Sequence, residues 1–89
     1  MKDIQESSRF RRELRRMRCR GKDLSKLTEV VRTLAEGEEL DARHVPHPLA
    51  GNWRPYWDCH IEPDWLLIYK VTEDVVELHR TGSHSDLFG

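Results

Sequence analysis

The stretch HIEPDWLLIY, residues 60–69, sets a histidine and two carboxylates, His60, Glu62 and Asp64, around Pro63 and directly before the most apolar run of the chain. Arg80, His84 and Phe88 follow near the end of the sequence. Cleaving an RNA phosphodiester without a metal requires a base near the 2'-hydroxyl, an acid for the leaving 5'-oxygen and a cation for the charge that builds on the phosphate. Histidine suits the proton steps because its unperturbed pKa of about 6.5 lies near working pH. Arginine suits the charge step because its fork can hold two phosphate oxygens at once. An aromatic ring can hold a splayed base by stacking. His60, Asp64, Arg80, His84 and Phe88 supply all of these parts. Residue types alone do not make the case, since most histidines in small domains are solvated or packed.

The elements that must position these groups are legible from periodicity and punctuation. Residues 2–6 read as a short edge strand, and Ser7 or Ser8 provides an N-cap for RFRRELRRMRCR. Phe10, Leu14 and Met17 recur at i, i+4 and i+7, a narrow apolar stripe in an arginine-rich helix that Gly21 ends. Asp23 or Ser25 caps a second helix with a broader stripe of Leu24, Leu27, Val30, Val31 and Leu34, closed by Gly37. The short connection predicts an antiparallel helical hairpin. Residues 38–52 hold two prolines, a glycine and no helical or strand period, and read as a long loop.

Residues 53–61, 65–72 and 75–81 read as three strands joined by turns at Glu62-Pro63-Asp64 and Glu73-Asp74, with a final turn or single helical turn in GSHSDLFG. Helices followed by a meander predict an α+β fold, with two helices on one face of a sheet and the other face partly open. Alternation places Tyr56, Asp58 and His60 on one side of their strand, and Val76, Leu78 and Arg80 on one side of the last.

At 89 residues the chain reads as one domain, 1–89, with a compact core and a thin stability margin. Charged residues reach 35 %, but the periodic segments argue against disorder. Cys19 and Cys59 form no CxxC and no disulfide framework, which fits a reducing compartment, the cytoplasm. The first residues lack the apolar stretch of a secretion signal, and the longest apolar run, Trp65–Tyr69, is too short to span a bilayer, so no membrane role is expected.

Residues 1–32 hold 11 Lys/Arg against 5 Asp/Glu (+6), whereas residues 33–89 hold 4 against 11 (−7), a split that suggests a basic surface for nucleic acid or an acidic partner. Seven arginines between Arg9 and Arg20 read either as a ribosomal RNA contact surface or as a solvated helix face. His44, His47, Cys59 and His60 do not form the paired motifs of a structural zinc site, so no metal and no organic cofactor is expected. Trp53, Trp57 and Trp65 read as core and sheet-face packing.

The segment from His47 to Gly89, and in particular HPL, DCHIEPDWLLIY and the final RTGSH followed by LF, resembles the C-terminal half of the YafQ toxins, a branch of the RelE/ParE toxin superfamily. The resemblance implies a RelE-like fold, a two-helix hairpin packed on a twisted antiparallel sheet with a C-terminal meander. It implies a ribosome-dependent endoribonuclease toxin that cuts messenger RNA in the decoding site by 2'-hydroxyl attack, restrained by a small dimeric, DinJ-like antitoxin. Carried over by position, it makes His84 the general acid, Asp64 a base or orienting group and Arg80 the phosphate ligand. His47 and His60 become further active-site histidines, and Phe88 the aromatic that contacts a base. One departure is charge: such toxins are generally strongly basic, whereas this chain carries −1, which bears on ribosome affinity and its salt dependence. An alternative from another class is a toxin of the same fold that inhibits a target such as DNA gyrase by binding alone, and a third is an inactive interaction partner.

Overall fold

Two side-chain caps start the helices. The Ser7 hydroxyl accepts the Phe10 N–H at 2.9 Å and opens α1 (Ser8–Cys19), and the Asp23 carboxylate accepts the Ser25 N–H at 3.0 Å and opens α2 (Leu24–Ala35). Between them Gly21 takes φ +85°, a left-handed conformation in which a side chain is strained, so the chain reverses within a few residues. The computed structural model describes all 89 residues, Met1–Gly89.

The strands are β1 (Asp3–Glu6), β2 (His47–Pro48), β3 (Trp57–Glu62), β4 (Trp65–Val71) and β5 (Val75–Gly82), and α3 (His84–Phe88) closes the chain. They form one five-stranded sheet in the order β1-β5-β4-β3-β2. The α+β fold agrees with expectation, with one refinement: β1 runs parallel to β5, so the sheet is mixed, while every other pair is antiparallel. Local periodicity carries no information on the direction in which two distant segments meet.

Each face of the sheet carries its own core. On the helix side, Phe10 and Met17 of α1 and Leu27, Val30 and Leu34 of α2 pack on Trp65, Leu67, Val76 and Leu78. On the second face Leu66, Ile68 and Leu87 are buried, flanked by the partly buried Leu49, Trp53, Tyr56 and Phe88. That face is therefore partly covered, by α3 and by the segment before β3. Trp65 and Thr81 are fully buried and mutually satisfied: the indole N–H donates to Thr81 Oγ1 at 2.9 Å, and that hydroxyl donates to the Leu66 carbonyl at 2.7 Å.

Several expectations from periodicity are corrected. The loop at 38–52 contains the 3₁₀ turn Ala42–His44 and the short β2, and a second 3₁₀ turn, Gly51–Trp53, runs across its end. The third strand begins at Trp57 instead of Trp53, because Pro55 has no N–H for a ladder and the Tyr56 N–H bonds back to the Trp53 carbonyl. Trp57 is 41 % exposed and belongs to neither core. No helix is long and apolar enough to cross a membrane.

Candidate active site on the second face of the sheet

Two bulges decide which side chains reach the site. In β5, Leu78 lies opposite Tyr69 and Arg80 opposite Ile68, so His79 is an extra residue. Alternation therefore breaks: Val76 and Leu78 pack under the helices, while Arg80 starts from the second face beside Ile68, not from the side of Val76 and Leu78 as expected. In β3 the same device at Ile61 sends Glu62 to the α2 side. There its carboxylate is held by Lys22 and Lys26, each at 2.8 Å, and these ammonium groups pull its pKa down to about 2. Of the three ionisable groups around Pro63, Glu62 thus belongs to a surface ion pair apart from His60.

Cross-strand register then lines up one row, His47, Asp58, Ile68 and Arg80, and beside it a second, His60, Leu66 and Gly82. Asp58 is the centre of this arrangement. Its side chain is 4 % exposed, its Oδ1 lies 2.8 Å from His47 Nδ1, and no well-directed hydrogen bond satisfies that oxygen. Burial pushes its pKa up, opposed by the positive charge that His47, His60 and His84 bring when protonated. One buried carboxylate thus faces three histidines that are far apart in sequence.

The histidine hydrogen bonds assign tautomers. His60 Nδ1 lies 3.0 Å from the Pro63 carbonyl, which can only accept, so Nδ1 carries the proton and the neutral ring keeps its lone pair on Nε2. His47 Nδ1 sits between the Val45 carbonyl, at 3.3 Å, and the Asp58 carboxylate, again two acceptors, which leaves Nε2 basic there too. Val45 itself adopts φ 43°, ψ 55°, a strained conformation for a β-branched residue, two positions before His47. The His84 ring is exposed and touches the Phe88 ring at a centroid distance of 5.1 Å.

Helix α3 is held from four sides. Ser83 and Asp86 form a reciprocal capping box, and Asp64 Oδ1 accepts the His84 backbone N–H at 2.9 Å. Arg20, just past α1, grips Asp86 with two bonds of 2.6 and 3.1 Å, and these hydrogen bonds, with that from the Ser83 backbone, hold the carboxyl well below the usual range. Leu87 is buried, and Phe88 meets Trp53 edge-on at 5.2 Å. Asp64 therefore positions His84 through one oxygen. Arg80 is bound as well, through Nε and Nη2 to the carboxylate of Glu13.

Comparison with known proteins bears on this arrangement. The family described as "Bacterial toxin of type II toxin-antitoxin system, YafQ" matches residues 2–89. The chain belongs to the YafQ toxin family. It is 39 % identical over 89 residues to the mRNA interferase toxin YafQ of Escherichia coli K12, covering 99 % of this chain and 97 % of that protein. The crystal structure of YafQ from E. coli strain BL21(DE3) superposes with a TM-score of 0.94 at 38 % identity over the full length of both chains. YafQ in the E. coli DinJ–YafQ complex superposes with a TM-score of 0.92 at 39 % identity, again over both full lengths.

In this YafQ-family chain the candidate site brings His47, His60, Asp64, His84 and Phe88 together around the second face. Asp58, buried beside His47, and Glu13, bound to Arg80, join the candidate set only in the structure and were not singled out in the sequence. Asp58 shares strand parity with His60, which was the available signal, but its burial was not readable. Glu13 stands in an arginine run and reads locally as a helix ion-pair partner. The residues weighed for zinc do not converge: Cys59 lies fully buried on the helix side, where burial raises its thiol pKa to about 12, and His44 Nδ1 bonds the His60 carbonyl at 2.6 Å. No group of three or more His, Cys, Asp or Glu side chains is arranged to hold a metal ion.

Proposed function

We propose that this chain is the toxin of a type II toxin–antitoxin pair and acts as an endoribonuclease on messenger RNA in the decoding site of the ribosome. The observation that carries this reading is the buried Asp58 carboxylate facing His47, His60 and His84, in the same row as Arg80. The RNA 2'-oxygen attacks phosphorus in line and gives its proton to Nε2 of His60 or His47. The bond from phosphorus to the 5'-oxygen breaks, and His84, whose ring is exposed, gives that oxygen a proton. The products are a 2',3'-cyclic phosphate and a 5'-hydroxyl. Arg80 meets the charge on the phosphate, Asp64 holds the His84 backbone, and Phe88 stacks on a base. These steps use side chains alone, without a metal or organic cofactor.

The E. coli relatives named as an mRNA interferase toxin and as a DinJ–YafQ complex support the activity and a DinJ-like antitoxin as partner; on this reading the antitoxin is small and dimeric and the pair works in the cytoplasm. Ribosome contact is supported by α1, where Arg11, Arg12, Arg15, Arg16 and Arg18 are exposed and have no carboxylate partner. The experiment is cleavage of a defined message on programmed ribosomes, with and without a chelator, comparing the wild type, a folded His84→Ala variant and a control lacking ribosomes. The proposal requires ribosome-dependent cuts with cyclic phosphate ends that survive chelation and vanish in the variant. An intact message with the wild type overturns it and moves the binding-only toxin forward.

A further inference from the structure

The only acid in α1 is Glu13, and it is buried, 5 % exposed, against an Arg80 that is itself 7 % exposed. The reason lies in the edge of the sheet. β1 stops opposite Leu78, so beyond that point the outer edge of β5 has no neighbouring strand. Ser7 Oγ caps the His79 carbonyl there at 2.8 Å, and Glu13 Oε1 takes the Thr81 N–H at 3.4 Å. Arg80 brings its guanidinium to the same carboxylate: Nε lies 3.2 Å from both oxygens and Nη2 lies 2.5 Å from Oε2.

A guanidinium has five N–H donors in two usable edges. Glu13 occupies the side edge, made of Nε and one Nη2 hydrogen. The end fork, both Nη1 hydrogens and the second Nη2 hydrogen, is left over. Nη1 makes no hydrogen bond in the protein, and it is not among the sealed polar atoms, of which Asp58 Oδ1 is the single case. A planar fork with its side edge clamped is the geometry that grips two oxygens of a phosphate. The clamp also cancels much of the arginine's net charge, so the fork would act by direction more than by bulk attraction.

We propose that Glu13 is a positioning residue, which clamps the side edge of Arg80 so that its end fork is presented to a phosphate of the bound RNA. The inference rests on the nuclease reading for the identity of that phosphate, and on the geometry alone for the clamp. Its test uses the full chain with Glu13→Gln, Glu13→Asp, Arg80→Ala and the double variant Glu13→Gln/Arg80→Ala. Single-turnover cleavage on saturating programmed ribosomes falls at least tenfold in Glu13→Gln, while ribosome affinity is unchanged or tighter. Glu13→Asp, which keeps the charge, recovers part of the rate, and the double variant is no slower than Arg80→Ala alone. A loss in Glu13→Gln that only follows its folded fraction, or losses that multiply in the double variant, overturns the proposal.

Nitrogen-15 NMR of the arginine side chains separates this outcome from failure of the nuclease reading. A clamped Arg80 shows distinct Nη1 and Nη2 resonances, with Nη1 shifting when inorganic phosphate is added, and the two merge in Glu13→Gln. If the wild type leaves RNA intact but shows this pattern, the nuclease reading falls and the clamp stands. If the resonances stay distinct in Glu13→Gln, or are already merged in the wild type, the clamp falls.

Discussion

Gly82 is where β5 turns into the helix that carries His84 and Phe88, and Gly82→Ala tests whether that turn fixes the site. An added Cβ would lie 2.9 Å from Asp86 Cβ and 3.1 Å from Asp86 Oδ2. The oxygen can swing aside, but the Asp86 Cβ is part of the α3 scaffold, so relief requires α3 to move away from β5. Overpacking of this kind costs about 1–3 kcal/mol. The stiffer alanine chain returns roughly 0.4–1 kcal/mol by restricting the unfolded state. The net is a destabilisation of up to about 2.6 kcal/mol concentrated in α3, so its amides exchange up to roughly 70-fold faster, while those of β3 and β4 keep their rates. A displacement on the order of 1 Å at His84 costs about 100-fold in single-turnover cleavage. Native-state hydrogen exchange and cleavage on programmed ribosomes give the two readouts. Unchanged α3 protection with unchanged cleavage would refute the argument from close approach. An equal loss of protection across β3 and β4 would refute the claim that α3 opens on its own.

Other perturbations give signs as well as sizes. Because burial raises the Asp58 pKa, the folded protein favours its neutral form: the contribution to stability is complete below the ordinary value of 3.8 and is lost as pH rises through the raised one. Asp58→Asn therefore has a higher urea midpoint than wild type at pH 7, a gap that closes in acid, and it cleaves more slowly. Glu62 behaves oppositely, since Lys22 and Lys26 depress its pKa from 4.5 to about 2, and its contribution is present above the former and lost as pH falls through the latter. Acid titration of Glu62→Gln should accordingly converge with the wild type across that window. Thr81→Val strips the buried Trp65 N–H of its acceptor and should cost about 1–3 kcal/mol in urea unfolding. Val45→Gly relieves a left-handed β-branched residue worth roughly 1–2 kcal/mol, less about 0.5–1 kcal/mol of glycine entropy, and should raise the thermal midpoint.

The helices, with the caps at Ser7 and Asp23, the second and third strands of the meander and the ionisable character of the Pro63 turn were all readable from residues near in sequence. Caps, stripes and turn residues act over a few positions, and each is written locally. The motif likeness in the His47–Gly89 segment marked His47, His60, Asp64, Arg80, His84 and Phe88 as candidate site residues, from motifs that are likewise short and local. The parallel pairing of β1 with β5 and the late start of β3 were not legible in this way.

Which face each of those residues reaches was decided only by the fold. Strict alternation joins Arg80 to Val76 and Leu78, but the extra residue at His79 separates them, and the one at Ile61 parts Glu62 from His60. A bulge changes the parity of every residue beyond it and depends on how two strands settle their register, which is a property of the pair. Burial is likewise collective: Asp58 became a shielded carboxylate among three histidines, and Glu13 a clamp on Arg80, through elements dozens of residues apart closing over them. The sequence by itself determined which chemical groups were present and which local elements would carry them. Their convergence on one face, and the desolvation and hydrogen bonding that shape their chemistry, came from tertiary packing, because both depend on neighbours that only the folded chain brings together.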